Sequence, residues 1–307
     1  MVDFVIYGKI IIDDIRLRGG GQTRRALGGG GPQAVFGARV WSDSVGFLSR
    51  SGTDLAPQDI ETLRGLDADL TGWTQFADIP TPQNRMRYDA NEYLIAGGLI
   101  TSQEDWNRLL AQPLTLPPAF QQPRAIHLVT EFGDEPLVAT ALDLRRRGAV
   151  LSLEPLASAA SGPQWQRMAE LMHQVDLVSP DWPTASLVAA SDDPLQVIQH
   201  WSRLGPEATA IRHGARGSYV WDRRRDTAWH VPAVPVDVVD PTGAGNAYGG
   251  GLCVGWTDTR DARLAGCMGA VSASILVRNI GLPRMTTAAQ AEASELLELA
   301  LAGTTSL

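Results

Sequence analysis

Lysine is almost absent: of the 26 lysines and arginines in this 307-residue chain, only Lys9 is a lysine. Lys9 does not close a G-x-x-x-x-G-K run, so a Walker-type phosphate loop is excluded, and a Schiff-base enzyme would have to use Lys9 itself. Cysteine is nearly as scarce. Cys253 and Cys267 are the only two and sit in neither a C-x-x-C pair nor a histidine-rich setting. They indicate neither a zinc site nor a disulfide framework, no metal site built from protein ligands is expected, and both read as buried free thiols. No apolar run approaches the roughly 20 residues of a membrane-spanning helix. The opening Met-Val-Asp-Phe shows no basic stretch followed by an apolar one, so the expectation is a reducing, cytoplasmic setting with no membrane partner. Positive charge is in deficit as well. A formal net charge of -8 leaves no general basic surface for a phosphate backbone. The clusters at 145–147 and 223–225 read as solvated arginines, and no nucleic-acid partner is expected.

What the chain does have is apolar content, 44% against 20% charged residues, enough to bury a large core. Phe4 to Ile12, rich in Val, Ile and Tyr and broken at Gly8, suits a buried strand running into a second short one. Short apolar runs recur at 125–129, 150–153, 175–178 and 209–211. Helix-like segments lie between them: 136–147 places Leu137, Ala141 and Leu144 on one face, and 163–175 places Met168, Leu171, Met172 and Val175 likewise. Strand, helix, strand at this spacing argues for right-handed βαβ units and a mostly parallel sheet in one α/β domain spanning 1–307. Two stretches depart from the alternation and read as lid segments, a glycine-rich one at about 13–34 and a polar-apolar one around Pro80 and Pro82 at about 72–98. Ala288 to Ala302 has helical periodicity and is expected to close the sheet at its edge.

The most informative segment runs from Val236 to Leu252, Val-Asp-Val-Val-Asp-Pro-Thr-Gly-Ala-Gly-Asn-Ala-Tyr-Gly-Gly-Gly-Leu. The expectation is an apolar strand ending at Asp240, a turn at Pro241 and Thr242, then Gly243, Ala244 and Gly245 leading into a helix near Asn246. Small residues allow close backbone approach. The unpaired amides of a helix's first turn carry the positive end of its dipole, which together make an anion hole. The bland alternative is a glycine-rich turn needed only for strand-to-helix packing. A dinucleotide-binding G-x-G-x-x-G fails on two counts, because its sixth position is Tyr248 and the region about 20 residues on reads Gly266-Cys267-Met268 with no ribose-binding acid.

Asp240-Pro-Thr-Gly-Ala-Gly-Asn246-Ala-Tyr-Gly-Gly resembles the second signature of PfkB (ribokinase-like) carbohydrate kinases, usually D-T-T-G-A-G-D with an aromatic residue and glycine following. Other stretches resemble the family in order and spacing. Gly8 to Asp13 is similar to its first strand and sugar-binding aspartate, and Gly28-Gly-Gly-Gly-Pro-Gln-Ala-Val-Phe-Gly-Ala-Arg39 to its glycine-rich substrate motif. Val45 to Asp54 is similar to the next strand and turn, Val175 to Pro180 to the strand before the N-x-x-E motif, and His213-Gly-Ala-Arg-Gly217 to the glycine turn beneath the nucleotide.

The resemblance implies a three-layer ribokinase-like fold with a small β lid, and a kinase that uses ATP with Mg2+ on a sugar or polyol hydroxyl. It places Asp13, Gly29, Gly30 and Gln33 at the substrate, Asp181, Thr242, Gly214 and Gly217 at the nucleotide, and Asp240, Gly243, Ala244, Gly245 and Asn246 at the reaction centre. Family lids sometimes pair two subunits, so it also allows a homodimer through the lid. Two departures stand out. The family's catalytic aspartate falls on Asn246, and a neutral amide cannot accept a proton; where N-x-x-E would organise phosphate and magnesium, this chain reads Asp181-Trp182-Pro183-Thr184. General-base catalysis contributes about 100-fold to 10,000-fold in rate, so the first departure matters. Three functions stand beside one another: a kinase with Asp240 or a water in place of the base, a catalytically impaired pseudokinase that binds nucleotide or sugar for regulation or assembly, and, weakened by Tyr248, a dehydrogenase.

Overall fold

The computed structural model describes residues 1–16, 24–88, 94–130, 136–155 and 163–307. In chain order the elements are β1 (Phe4–Tyr7), β2 (Ile11–Arg16), β3 (Arg24–Gly28), α1 (Gly31–Arg39), β4 (Val45–Gly52), α2 (Pro57–Arg64), β5 (Asp69–Phe76), β6 (Gln83–Tyr88), β7 (Leu94–Leu99) and α3 (Gln103–Leu110). They continue with β8 (Ala125–Thr130), α4 (Pro136–Arg146), β9 (Val150–Pro155), α5 (Pro163–Met172), β10 (Leu177–Val178), α6 (Trp182–Ala189) and α7 (Pro194–Ser202). The last are β11 (Ala208–Arg212), β12 (Ser218–Asp222), β13 (Thr227–Val231), α8 (Ala244–Thr259), α9 (Ala262–Val277), α10 (Thr287–Gly303) and β14 (Thr305–Ser306).

The strand order β14-β13-β12-β11-β10-β9-β8-β1-β4-β5 makes one large sheet, parallel from β11 through β5 and antiparallel at β12, β13 and β14. Period-2 alternation builds a core on each face. Phe4 and Ile6 of β1 join one core with residues of α1, α8, α9 and α10; Val5 and Tyr7 join the other with α4, α5 and α7. Helices on both faces explain why the central strands read as continuous apolar runs. The chain steps from β1 to β4 on one side and later to β8 on the other, so strand order reverses at β1. In open α/β sheets the crevice beyond the strands' carboxyl ends at such a reversal is where ligands sit. Among the described residues no helix is long and apolar enough to cross a membrane.

Four strands, in the order β3-β2-β6-β7, form a second, small sheet. This narrows the two lid segments expected at 13–34 and 72–98. Residues 31–34 already belong to α1, and 72–76 belong to β5 on the large sheet, whose backbone partner is β4. Within the two segments, residues 17–23 and 89–93 lie outside the described residues. Within the small sheet β6 is paired on both sides, by β2 and β7.

Three further expectations change. The run Val236 to Asp240 is not a strand, because no strand lies beside it; the amides of Val239 and Asp240 both donate to the Val277 carbonyl at the end of α9. The strand at 175–178 shortens to Leu177–Val178. And the sheet edge beyond β13 is closed by β14, while α10 packs mainly on α9. Local signals fix the helix starts: Asp181, Asp193, Asp261 and Thr286 each cap a helix by accepting a backbone amide three residues on, worth about 1 kcal/mol apiece. Both cysteines are buried free thiols. Of the clustered arginines, Arg145 grips Asp176 through two nitrogens and Arg225 pairs with Asp222.

Candidate active site

Helix α8 carries the turn singled out in the sequence. It begins at Ala244, two residues before the expected Asn246, with Gly243 as N-cap in the left-handed region (φ 81°, ψ 1°). Its interior holds four glycines, Gly249, Gly250, Gly251 and Gly255, each costing about 1 kcal/mol against alanine. What they allow is close packing of α8 between α1 and α9. The tightest approach comes from α1, where a Cβ added to Gly37 would lie 1.9 Å from the Ala247 carbonyl oxygen. That packing fixes where the start of α8 points.

At this start the amides of Thr242, Ala244 and Ala247 are taken, by the Asp240 carboxylate (2.9 Å), the Pro241 carbonyl and the Gly243 carbonyl respectively. Among the described residues the amides of Gly243, Gly245 and Asn246 donate to no protein acceptor. Three free N–H groups at the positive end of a 16-residue helix are suited to hold an anion.

The turn lies between a cavity and the residues of the first glycine motif. On one side is a cavity of about 590 Å³, walled by Ala233, Val234, Pro235, Val236, Val238 and Val277 and ending at Ala244 and Gly245. Asp181, Arg212, Gly214 and Gly217 also line it. Gly217 has φ +84°, and a Cβ there would lie 2.1 Å from the Val231 carbonyl, so only glycine fits. The apolar wall suits a flat base and the turn suits its phosphates. Asp181 reaches the cavity rim, but its Oδ1 is held by the Thr184 amide at 3.0 Å. Among the described residues no three His, Cys, Asp or Glu side chains gather into a metal cage. A Mg2+ arriving with a nucleotide would be held chiefly by phosphate oxygens, the usual mode for this ion, with Asp181 at the cavity rim.

On the other side lie Asp13, Gly29, Gly30 and Gln33. A Cβ on Gly243 would meet Gln33 Cγ at 2.3 Å, and one on Gly30 would meet Asn246 Nδ2 at 2.9 Å, so the early glycine motif and the late turn touch. Gln33 donates to the Leu27 carbonyl (3.0 Å) and its buried Oε1 has no partner among the described residues. Asp13 is only 3% exposed. Burial raises its pKa to about 7; the Gly29 amide opposes the rise, and Asp14 and Asp240 add to it. Asp240 is equally buried. Gly30 and Gln33 thus touch the turn, Asp181, Gly214 and Gly217 line the cavity with Ala244 and Gly245, and Thr242 Oγ1 is buried with no partner among the described residues.

Three charged or titratable residues, Glu154, His127 and Arg212, were missed by sequence reasoning. Glu154, at the end of β9, is 1% exposed and binds Arg212 (Nη1 to Oε1, 2.9 Å) and the Asn246 amide (Nδ2 to Oε1, 2.9 Å). His127 of β8 stands 3.8 Å from its other oxygen. Burial alone would raise the Glu154 pKa; the Arg212 charge, with His127 and the Asn246 amide, outweighs it and holds the carboxyl below its ordinary value. Arg212, at the end of β11, also donates to the Ser179 carbonyl (3.0 Å), and a Cβ on Gly245 would overlap its Nη1 at 1.7 Å. The signal available was a lone charge closing each apolar strand, Glu154 after Val150 to Leu153 and Arg212 after Ala208 to Ile211. Near the cavity Trp182 stacks on His213, rings 4.0 Å apart and 5° from parallel. Burial, then the charges of Arg216 and His230, lower the His213 pKa to about 4, so the stacked ring is neutral at pH 7.

Known proteins share this fold over nearly the whole chain. An Escherichia coli protein described as ribokinase II, solved with ATP and Mg2+, superposes with a TM-score of 0.75 at 16% identity, covering 97% of this chain and 100% of its own. Arabidopsis thaliana ribokinase, solved with ribose and ATP, gives 0.70 at 20% identity, covering 97% and 99%. In sequence, the cytidine kinase of Thermococcus kodakarensis is 21% identical over 85% of this chain and 90% of its own length. Residues 1–288 match the profile of the pfkB family carbohydrate kinases. With its two glycine motifs meeting at the start of α8 and that profile covering nearly its full length, the chain belongs to the pfkB family of carbohydrate kinases.

Proposed function

We propose that this protein transfers the γ-phosphoryl group of ATP to a hydroxyl of a small sugar, polyol or nucleoside. The observation that carries the reading is the set of three free amides, Gly243, Gly245 and Asn246, in the turn that borders the cavity and touches Gly30 and Gln33. ATP in the cavity would present its terminal phosphate to those amides, with Arg212 adding positive charge behind them. Mg2+ bound with ATP supplies further charge neutralisation on the phosphate oxygens.

Asp13 and Gln33 Oε1 hold hydroxyls of the acceptor, and the small sheet serves as its lid. In the transfer the acceptor oxygen bonds to the γ-phosphorus while the bridging β,γ oxygen departs with ADP. The hydroxyl proton passes to the Asp13 carboxylate, whose hold on it the charge of the equally buried Asp240 strengthens. A carboxylate whose pKa burial raises to about 7 is suited to that exchange at neutral pH. Positioning supplies much of the rate in such reactions, which is why a neutral Asn246 is compatible with turnover.

The test is ADP formation with ATP and Mg2+ across a panel of sugars and nucleosides, with chelation of Mg2+ as control. Product with at least one acceptor, lost on chelation, is expected. Asn246 and Thr184 favour a second reading, a pseudokinase that binds the same ligands. Nucleotide-dependent thermal stabilisation with no product from any acceptor is its outcome, and it would overturn the kinase reading.

A further inference from the structure

Glu154, buried beneath the α8 turn, has no part in the transfer just described. Glu154 sits under Asn246 at the carboxyl edge of the sheet, and its Oε1 accepts from both Arg212 Nη1 and Asn246 Nδ2 at 2.9 Å. An ionised carboxylate only accepts hydrogen bonds. The end of the Asn246 amide that faces it must therefore be the nitrogen, and Oδ1 is left for another donor. The amide group itself lies against Gly30, the N-cap of α1, on the acceptor side.

We propose that Glu154 is a positioning residue for the reaction centre: pinned by Arg212, it clamps the amide of Asn246 nitrogen-inward, so that position 246 is built for a neutral side chain offering an acceptor oxygen to a substrate hydroxyl. This rests on the kinase reading for its catalytic consequence but not for the clamp itself. The groups that surround the carboxylate come from each packed element: Arg212 from β11, His127 from β8 and Asn246 from α8. His127 Nδ1 is in turn bonded to Ser152 of β9 at 2.8 Å.

The clamp makes a prediction opposite to the one the sequence suggests. Restoring aspartate at position 246 sets a second carboxylate about 3 Å from Glu154, and two carboxylates at that distance do not both ionise near neutrality. The new aspartate then holds its proton and is no base. Removing the Glu154 charge as well, by Glu154→Gln, frees it to ionise beside Arg212.

The experiment compares the wild type, Asn246→Asp, Glu154→Gln and the double variant, each first checked for a cooperative thermal transition. Carboxyl-carbon NMR of the introduced side chain reads its titration without any activity. We expect proton affinity at least 10-fold higher in Asn246→Asp than in the double variant; equal titration in the two overturns the clamp. In turnover, Asn246→Asp is expected to lower kcat at least 10-fold with little change in KM, and the double variant to recover most of it. A rise in kcat for Asn246→Asp alone also overturns the proposal. Should Glu154→Gln fail to fold, Glu154→Asp keeps the charge for Arg212 but withdraws it by one methylene. It should lower kcat while leaving nucleotide binding by calorimetry unchanged, and wild-type kcat in that variant counts against the clamp. If no acceptor is turned over by the wild type, the kinase reading fails while the carboxyl titration still decides the clamp.

Discussion

Replacing Asp13 by asparagine should stabilise the protein while disabling acceptor binding. The carboxylate is almost wholly buried on β2, an inner strand of the small sheet, and burial, with Asp14 and Asp240 nearby, raises its pKa to about 7. The unfolded chain holds it near 3.9. Between those values the folded state binds the extra proton, so stability falls as pH rises through the window, and the full penalty is present above pH 7. At 1.36 kcal/mol per pH unit the penalty is about 4 kcal/mol. Asparagine keeps the shape and the oxygen facing the Gly29 amide but carries no charge to desolvate. At about 2 °C per kcal/mol for a chain of this size, Asp13→Asn should raise Tm by about 8 °C at pH 8. The gain should shrink as pH falls and vanish near pH 3.5, where both states of the wild type are protonated. Calorimetric melts at half-unit pH steps measure the difference, and acceptor-dependent ADP formation measures the functional loss, expected to exceed 100-fold in kcat/KM. A variant that melts at the wild-type temperature at pH 8, or lower, refutes the argument that this carboxylate is held in place at a cost to stability.

Other changes test the scaffold around the turn. Gly37→Ala forces a Cβ to within 1.9 Å of the Ala247 carbonyl, so α1 and α8 must part; we expect a loss of at least about 2 kcal/mol in urea unfolding and weaker nucleotide binding. Arg212→Met leaves Glu154 buried without its cation, which should cost about 3 to 5 kcal/mol at pH 7. The carboxyl pKa is then raised in the folded state, so that loss should grow with pH and lessen toward pH 4, as Tm against pH will show. His213, neutral in its stack with Trp182, should titrate by NMR near pH 4, well below an unperturbed histidine near 6.5; a midpoint above 6 would contradict its burial.

Much of the site was legible because the signals were local. A glycine N-cap, the helix that follows it and the glycine turn at 213–217 are dictated within a few residues, and the run from Asp240 to Gly250 marked a glycine turn opening a helix. The same locality misled at Val236 to Asp240, where alternating valine and aspartate imitate a strand; strand formation needs a neighbour, and here the segment's amides turn to the end of α9 instead. It misled again at 72–76, whose polar-apolar alternation suits a lid strand but whose pairing is with β4.

The sequence by itself determined the periodicities that make helices and strands, the helix caps, the glycine positions and the neutral residue at 246. Only the tertiary structure decided what that neutral residue means. Glu154, Arg212 and Asn246 are 92 or fewer positions apart in the chain yet share one oxygen, and a lone charge at the end of an apolar strand looks the same in sequence whether it is solvated or buried. Coulomb interactions depend on distance and burial, and both are set by which strands lie side by side.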